Sequence, residues 1–458
     1  MRPLIRQAGL ILALALSAWG QRAPIEGSWE GVIQSVMGKL RIRIHVTRSP
    51  DGTLSGKMDS PDQGAFGLPV SSVTFETGVL KWELKMANAS FEGKLNEAGS
   101  EIEGKFKQGM ELPLTLKRFE GSPEPNRPQN PKPPLPYRSE DVTFASKAAG
   151  VTMAGTLTLP PGRGPFPAVV LITGSGPQDR DESLMGHKPF LVLSDRLTRG
   201  GIAVLRYDDR GVGKSSGSFA KATSADFAED AEGALEYLQS RPEIDAKRIG
   251  LAGHSEGGII APMLAARRSG IAFVVLLAGT AVPGADVVLE QGQRMAELAG
   301  APEAARKQGR EKQLEIYEAL RASKDDAGIE KQLKALLGDE PAAQAQIRQV
   351  LSPWFRYFLF YDPAPALAKL KCPVLVLNGE KDVQVLADQN LPPLEAALKK
   401  GGNRDYRIVR LPGLNHLFQT AKTGLPAEYA QIEETMAPSM LEALTLWIRQ
   451  HTGLESKQ

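Results

Sequence analysis

The chain has 458 residues, 42% apolar and 24% charged, which places it among ordinary globular proteins and excludes a disordered or fibrous polymer. Fifty-five Lys and Arg face 53 Asp and Glu, a balance too even to call for a polyanion, so nucleic acid is not an expected partner. The single cysteine, Cys372, excludes an intrachain disulfide framework and a multi-cysteine metal site.

At roughly 100–200 residues per domain the length has room for two to four units. In chain order, Arg2 and Arg6 precede the apolar stretch 8–18, and Ala18 and Gly20 fit the small-residue positions of a cleavage site. Residues 1–20 therefore read as a signal peptide, and the mature protein as periplasmic or secreted. About 11 apolar residues fall well short of the ~20 needed to span a bilayer. With no cysteine nearby for a lipid and no later stretch long enough to span, stable membrane insertion is not expected.

Residues 21–120 alternate with period two in short runs such as LRIRIHV (40–46), VLKWELKM (79–86), SFEGKL (90–95) and LPLTLKR (112–118), separated by turn signals such as SPDG and NEAGS. This pattern predicts an antiparallel β domain, barrel or sandwich, since alternation alone does not choose between them. His45 sits on one of these strands and reads as an ordinary half-buried strand residue. The stretch 121–138 is a Pro-rich linker, with seven prolines in GSPEPNRPQNPKPPLPY (121–137), favouring an extended spacer. A Pro-rich loop packed on one domain is the other reading.

From 139 to 458 the pattern changes. Nearly continuous apolar runs at 167–173, 202–208, 248–253, 273–279 and 373–379 alternate with helical stretches at 188–199, 223–240, 257–268 and 387–399. That is the signature of an α/β fold with a mostly parallel sheet covered on both faces. VTMAGTLTLP (151–160) adds antiparallel strands at its leading edge. Between about 281 and 368 no strand run appears, and charged, Ala-rich segments followed by the aromatic group PWFRYFLFYDP predict an inserted helical cap.

Gly-x-Ser-x-Gly occurs at Gly213 to Gly217 and at Gly253 to Gly257. A nucleophile elbow needs its serine between a strand and a helix, and only Ser255 has RIGLAG before it and helical GGIIAPMLAARR after it. Ser215 lies in a polar loop. A serine hydroxyl needs a base. His45 belongs to the other domain, His451 to the C-terminal end, and His254 is the elbow's own second position, with a side chain expected to point away from the serine. His416, in LPGLNHLF after the strand YRIVRLP, is the expected base at the carboxyl edge of the sheet, with His187 as rival. Asp382, on the loop after PVLVLNGEK, is the expected acid, with Glu380 as alternative; the order Ser255, Asp382, His416 suits this fold.

The oxyanion needs backbone donors. One is the amide of Glu256; the second comes from the turn after VVLIT, at Ser175 or Gly176, with Ser175 favoured. The run Gly211-Val-Gly213-Lys-Ser215 imitates a phosphate loop, but Asp208 stands where its first glycine is required, so a nucleotide is not expected. Asn415, Gln384 and Gln419 read as loop polar residues that can tune the site. The cap aromatics Trp354, Phe355, Tyr357, Phe358, Phe360 and Tyr361 read first as helix packing and second as an acyl pocket.

These residues resemble the α/β-hydrolase superfamily over about 140–452. GSGPQDRDE (174–182), GHKPF (186–190), VLRYDDRGVGKSSG (204–217), GHSEGG (253–258) and GLNHLFQ (413–419) look like bacterial exported serine carboxylesterases with an N-terminal β domain. The resemblance implies hydrolysis of small-molecule carboxylic esters through an acyl-enzyme, with Ser255, Asp382 and His416 as nucleophile, acid and base, and with no metal or organic cofactor. Thr173-Gly174-Ser175 replaces the His-Gly pair that opens the oxyanion loop of many lipases, so the second donor does not follow from the resemblance. Two other readings stand beside it: an amide or peptide hydrolase with the same triad, and a non-catalytic exported binding protein. Physiological substrate, acyl length, the ligand of the β domain and oligomeric state are not written in these motifs.

Overall fold

A computed structural model describes residues 25–454 except 36–37, 62–64, 122–125 and 323–324; the leader read at 1–20 lies outside the described residues. Two compact units divide between Pro123 and Glu124.

The first unit is one nine-stranded antiparallel sheet. Its strands are β1 (Gly27–Ser35), β2 (Gly38–Arg48), β3 (Leu54–Ser60), β4 (Ala65–Pro69), β5 (Ser72–Glu76), β6 (Val79–Leu84), β7 (Ala89–Leu95), β8 (Glu101–Gln108) and β9 (Met110–Arg118), in spatial order β4-β3-β2-β1-β9-β8-β7-β6-β5. On β2 the alternation places Ile42, Ile44 and Val46 inside and leaves Arg41, Arg43 and His45 half-buried on the other face. The sheet curls until β5 packs against β3: a Cβ on Gly56 would lie 2.9 Å from Val73 Cγ2. A half-barrel filled by Trp29, Leu80, Trp82 and Phe91 results, which resolves the choice between barrel and sandwich. His45 bonds across three strands, Nδ1 to Ser28 Oγ and Nε2 to Asp59 Oδ2, both at 2.7 Å.

The second unit carries an eight-stranded sheet. Strands β10 (Arg138–Ala145), β11 (Thr152–Leu159), β12 (Phe166–Ile172), β13 (Ala203–Tyr207), β14 (Ile244–His254), β15 (Val274–Leu277), β16 (Val374–Gly379) and β17 (Tyr406–Leu411) run in the order β10-β11-β13-β12-β14-β15-β16-β17. The pairs β10/β11 and β11/β13 are antiparallel and the others parallel. Apolar runs are continuous here because both faces are covered. Val169, Ala252, Val275 and Leu377 pack under α1 (Pro189–Arg199) and α11 (Pro438–His451). Val170, Leu251, Leu276 and Val376 pack under α2 (Ser224–Ser240), α3 (Gly257–Ala265) and α10 (Ala387–Lys400). Since β13 and β14 flank β12 on opposite sides, the sheet changes winding direction there, and the carboxyl ends of β12 and β14 border the crevice where such folds bind ligands.

Between β15 and β16 the chain forms α4 (Gly284–Leu298), α5 (Glu303–Ala322), α6 (Asp326–Leu337), α7 (Pro341–Leu351), α8 (Pro353–Phe360) and α9 (Ala364–Leu367). This cap has its own core of Ile316, Leu320, Ile329, Leu333, Ile347 and Leu359. The aromatic group 353–360 is helical; Phe358 is buried in it and Trp354 half-buried.

The Pro-rich stretch from 126 onward lies along the second unit. Proline rings leave the backbone few donors, and the anchoring falls to side chains: Tyr137 Oη donates to Asp195 Oδ1 at 2.9 Å. Arg127 donates to Met185 O, Ala430 O and Ile432 O; Gln129 accepts from Thr435 N and Met436 N and donates to Met436 O.

Candidate active site

The turn from β14 into α3 is possible only for this sequence of small residues. A Cβ on Gly253 would lie 1.9 Å from Gly257 O, and one on Gly257 would lie 2.2 Å from Ile172 O. Between them Ser255 is held at φ +52°, a left-handed conformation that costs a non-glycine residue of order 1–3 kcal/mol and concentrates at functional sites. Its N–H donates to Leu277 O at 2.8 Å and its carbonyl accepts from Gly258 N at 2.9 Å. Its hydroxyl makes no hydrogen bond among the described residues. By contrast, the Ser215 hydroxyl is occupied twice, donating to Asp208 O at 2.7 Å and accepting from Ala154 N at 2.9 Å.

His416 stands on the loop after β17. Asn415 ties that loop into a knot, its Oδ1 accepting from Leu417 N and Gln419 N and its Nδ2 donating to Gln419 Oε1. Nδ1 of His416 lies 2.8 Å from Asp382 Oδ2, and both side chains are buried. Asp382 Oδ1 accepts from Gln384 N and Val385 N, each at 2.8 Å, so its loop presents the remaining oxygen to the imidazole. Gln384 also reaches Tyr429 Oη through its amide. Glu380 is turned elsewhere, accepting from Gly413 N at 2.9 Å. His187 is a buried post beneath the same loop, touching Thr435 Oγ1, Tyr429 O and Gln419, and burial drives its pKa down to about 4.

The loop after β12 passes against the serine: a Cβ on Gly174 would sit 3.3 Å from Ser255 Cβ. Gly174 N donates to Glu182 Oε1 at 2.8 Å. Among the described residues, Ser175 N, Gly176 N and Glu256 N have no acceptor, and Gly176 has φ +94°.

Three features escaped the sequence. Glu182, at φ +53°, aims a buried carboxylate at His254 Nδ1, 2.8 Å away, and the other ring nitrogen of His254 lies 3.0 Å from His416 O. The Glu256 side chain accepts from Ser224 Oγ at 2.6 Å and from Trp354 Nε1 at 2.8 and 2.9 Å, tying α8 of the cap to the elbow. Asp209 accepts from Thr173 Oγ1 at 2.8 Å and Gln178 N at 2.9 Å, bracing the loop after β12. The partners of all three are remote in sequence, and no local motif announces them. Between α4, α5 and the Asp382 loop lies a polar recess of about 570 Å³; of the cations lining it, Arg310 pairs with Glu290 and Arg294 with Glu297. Among the described residues no group of three or more His, Cys, Asp or Glu is placed to hold a metal ion, and no helix is long and apolar enough to cross a membrane.

Burial pushes the pKa of Glu256 up to about 7 against the opposing hydrogen bonds, and that of Asp209 up to about 8. In the unfolded chain both ionise near pH 4. The native state therefore keeps protons that the unfolded state has released, and this contribution is complete below about pH 4 and is lost as pH rises through 7 and 8. For Glu256, whose carboxyl rises from its ordinary 4.5 to about 7, it is on the order of 3 kcal/mol. Glu256→Gln keeps the shape and an acceptor oxygen but cannot ionise. Its Tm is expected to fall less than the wild type's between pH 5 and 9; parallel Tm profiles for the two proteins would show that Glu256 does not titrate there.

Residues 169–431 match the profile of the Alpha/beta hydrolase family. Esterase EstD of Thermotoga maritima is 30% identical over 298 residues, covering 64% of this chain and 65% of that protein. Acyl-coenzyme A thioesterase 2, mitochondrial, of Homo sapiens is 33% identical over 128 residues, covering 28% of this chain and 23% of that protein. The match thus spans just under two thirds of the first relative and less than a quarter of the second. The solved structure of the Pyrococcus furiosus esterase Pf2001 covers 72% of this chain and 100% of its own, with 16% identity and a TM-score of 0.43.

Proposed function

The chain belongs to the alpha/beta hydrolase family, and from that premise we propose that it is a serine hydrolase of carboxylic esters, with Ser255 as nucleophile, His416 as base and Asp382 as acid. Two observations support the reading: a strained Ser255 after β14 whose hydroxyl has no partner among the described residues, and a buried His416–Asp382 pair joined at 2.8 Å. The elbow and the base loop adjoin: the rings of His254, next to the serine, and His416 have centroids 4.8 Å apart. In unliganded enzymes the bond from nucleophile to base is often open and tightens when substrate binds.

In the proposed reaction Ser255 Oγ attacks the ester carbonyl carbon as His416 Nε2 takes its proton. The carbonyl oxygen gathers negative charge and receives the N–H of Glu256 and that of Ser175 or Gly176. Collapse breaks the bond to the alcohol, which leaves with the proton from His416. Water, deprotonated by the same nitrogen, then releases the acid and restores the serine. The esterase relative supports ester substrates, and the N-terminal leader supports an exported enzyme.

The test is labelling by a fluorophosphonate together with turnover of matched ester and anilide substrates. Modification at Ser255 with ester turnover far above anilide turnover is the expected result. Preference for the anilide would make the protein an amidase, and an unlabelled, folded protein would return it to the binding-protein reading.

A further inference from the structure

The mechanism leaves unused a buried pair of ionisable side chains next to the serine, Glu182 and His254. We propose that Glu182 and His254 are a positioning pair: an imidazolium at His254, clamped between the Glu182 carboxylate and the His416 carbonyl, holds the base loop and the oxyanion loop against the elbow. The proposal rests on the serine-hydrolase reading for its kinetic consequences, though not for its structure.

The geometry carries it. His254 places Nδ1 2.8 Å from Glu182 Oε1 and Nε2 3.0 Å from His416 O. A carbonyl oxygen and an ionised carboxylate only accept, so both ring nitrogens must donate, and a neutral imidazole has one N–H to give. The same Glu182 oxygen accepts Gly174 N at 2.8 Å. One carboxylate and one ring thus bind together the loop after β12, the end of β14 and the loop after β17. Glu182 pays for its place with a left-handed backbone, and its second oxygen, Oε2, is buried without a partner. A side chain placed only for packing gives no reason for that arrangement.

The titratable groups facing His254 are Glu182 from the loop after β12, Asp382 from the loop after β16 and His416 from the loop after β17. Burial works to strip the ring of its proton. The charge and hydrogen bond of Glu182, the His416 carbonyl and the charge of Asp382 outweigh burial, and the pKa of His254 is raised. Its ring centroid lies 4.8 Å from that of His416, so the ring that donates to the His416 carbonyl also packs against the imidazole of the base.

Glu182→Gln keeps the acceptor oxygen and removes the charge, so His254 should lose its extra proton near neutrality. Two effects are expected. First, kcat falls roughly 10- to 100-fold with KM changed less than about threefold, since alignment rather than binding is lost. Second, the nitrogen-15 spectrum of the variant shows His254 with a single protonated ring nitrogen at pH 7.5, because the carboxylate charge that holds the second proton has gone. A variant with the wild-type kcat overturns the proposal, as does an equal loss of kcat with His254 still carrying two ring protons, which marks a structural role alone. Nitrogen-15 NMR of the wild-type histidines decides the matter without any activity: His254 should show two protonated ring nitrogens at pH 7.5, and a single neutral tautomer overturns the pair even if ester turnover stands. Two protonated nitrogens in a protein without ester turnover would keep the pair and remove the serine-hydrolase reading.

Discussion

Ser255→Ala is expected to lower ester turnover by about 10⁴-fold or more while leaving the fold intact. The two halves of this expectation have separate causes. Turnover falls because no other hydroxyl stands at the end of β14, and the acyl-enzyme route closes with it. Stability holds because the Ser255 hydroxyl makes no hydrogen bond among the described residues, and alanine takes the φ +52° position no less readily than serine, so the change in stability should stay within about 0.5 kcal/mol. Ser215→Ala is the matched control. That hydroxyl bonds Asp208 O and Ala154 N, and its loss leaves the buried Ala154 N–H unmet at a cost of about 1–3 kcal/mol, with kcat per folded molecule preserved. The assay is release of alcohol from one ester by both variants, beside thermal melts. Ester turnover in Ser255→Ala within tenfold of wild type would remove Ser255 as nucleophile.

What the sequence made legible follows from how local each signal is. The strands β12 to β16 and the elbow between β14 and α3 could be read because double-sided burial writes an unbroken apolar run and the turn demands glycine at Gly253 and Gly257, all within a short window. The cap could be read from its length without strands. The closure of the half-barrel could not, because it depends on Val73 of β5 meeting Gly56 of β3 across a curled sheet, and period-two alternation is the same in a curled sheet and in two packed ones. The anchoring of the Pro-rich stretch was hidden for a related reason: proline count describes backbone stiffness, whereas the anchors are side chains such as Arg127 and Gln129, bonded to carbonyls and amides of residues such as Ile432 and Thr435.

The site divides along the same line. Ser255, Asp382 and His416 each follow a readable strand, so the contact between Asp382 and His416 could be expected from topology. Glu182 could not be, because its partner His254 lies 72 residues away and the elbow motif says nothing of that ring's direction. Glu256 was singled out for its amide, yet its carboxylate is the part that ties the cap. A motif specifies the backbone it must bend. Side chains that brace the bend are chosen by tertiary neighbours.

Asp382→Asn tests that bracing at the base itself. The carboxylate does two things: Oδ2 faces His416 Nδ1 at 2.8 Å, and Oδ1 is fixed by Gln384 N and Val385 N. Asparagine can keep the second contact through its carbonyl oxygen, which turns its amide nitrogen toward the ring. Nδ1 of His416 must then accept, so the proton moves to Nε2, the atom that has to receive the serine proton. The base is present in the wrong tautomer, and kcat should fall by about 10³- to 10⁴-fold, as in other triads where the acid is made neutral. KM should change little, because in the proposed mechanism Asp382 acts only through His416. Glu380 cannot step in while its carboxylate is held by Gly413 N. Steady-state kinetics on a single ester, with circular dichroism to confirm the fold, decides the outcome; a loss smaller than tenfold would mean that the group orienting His416 is not Asp382.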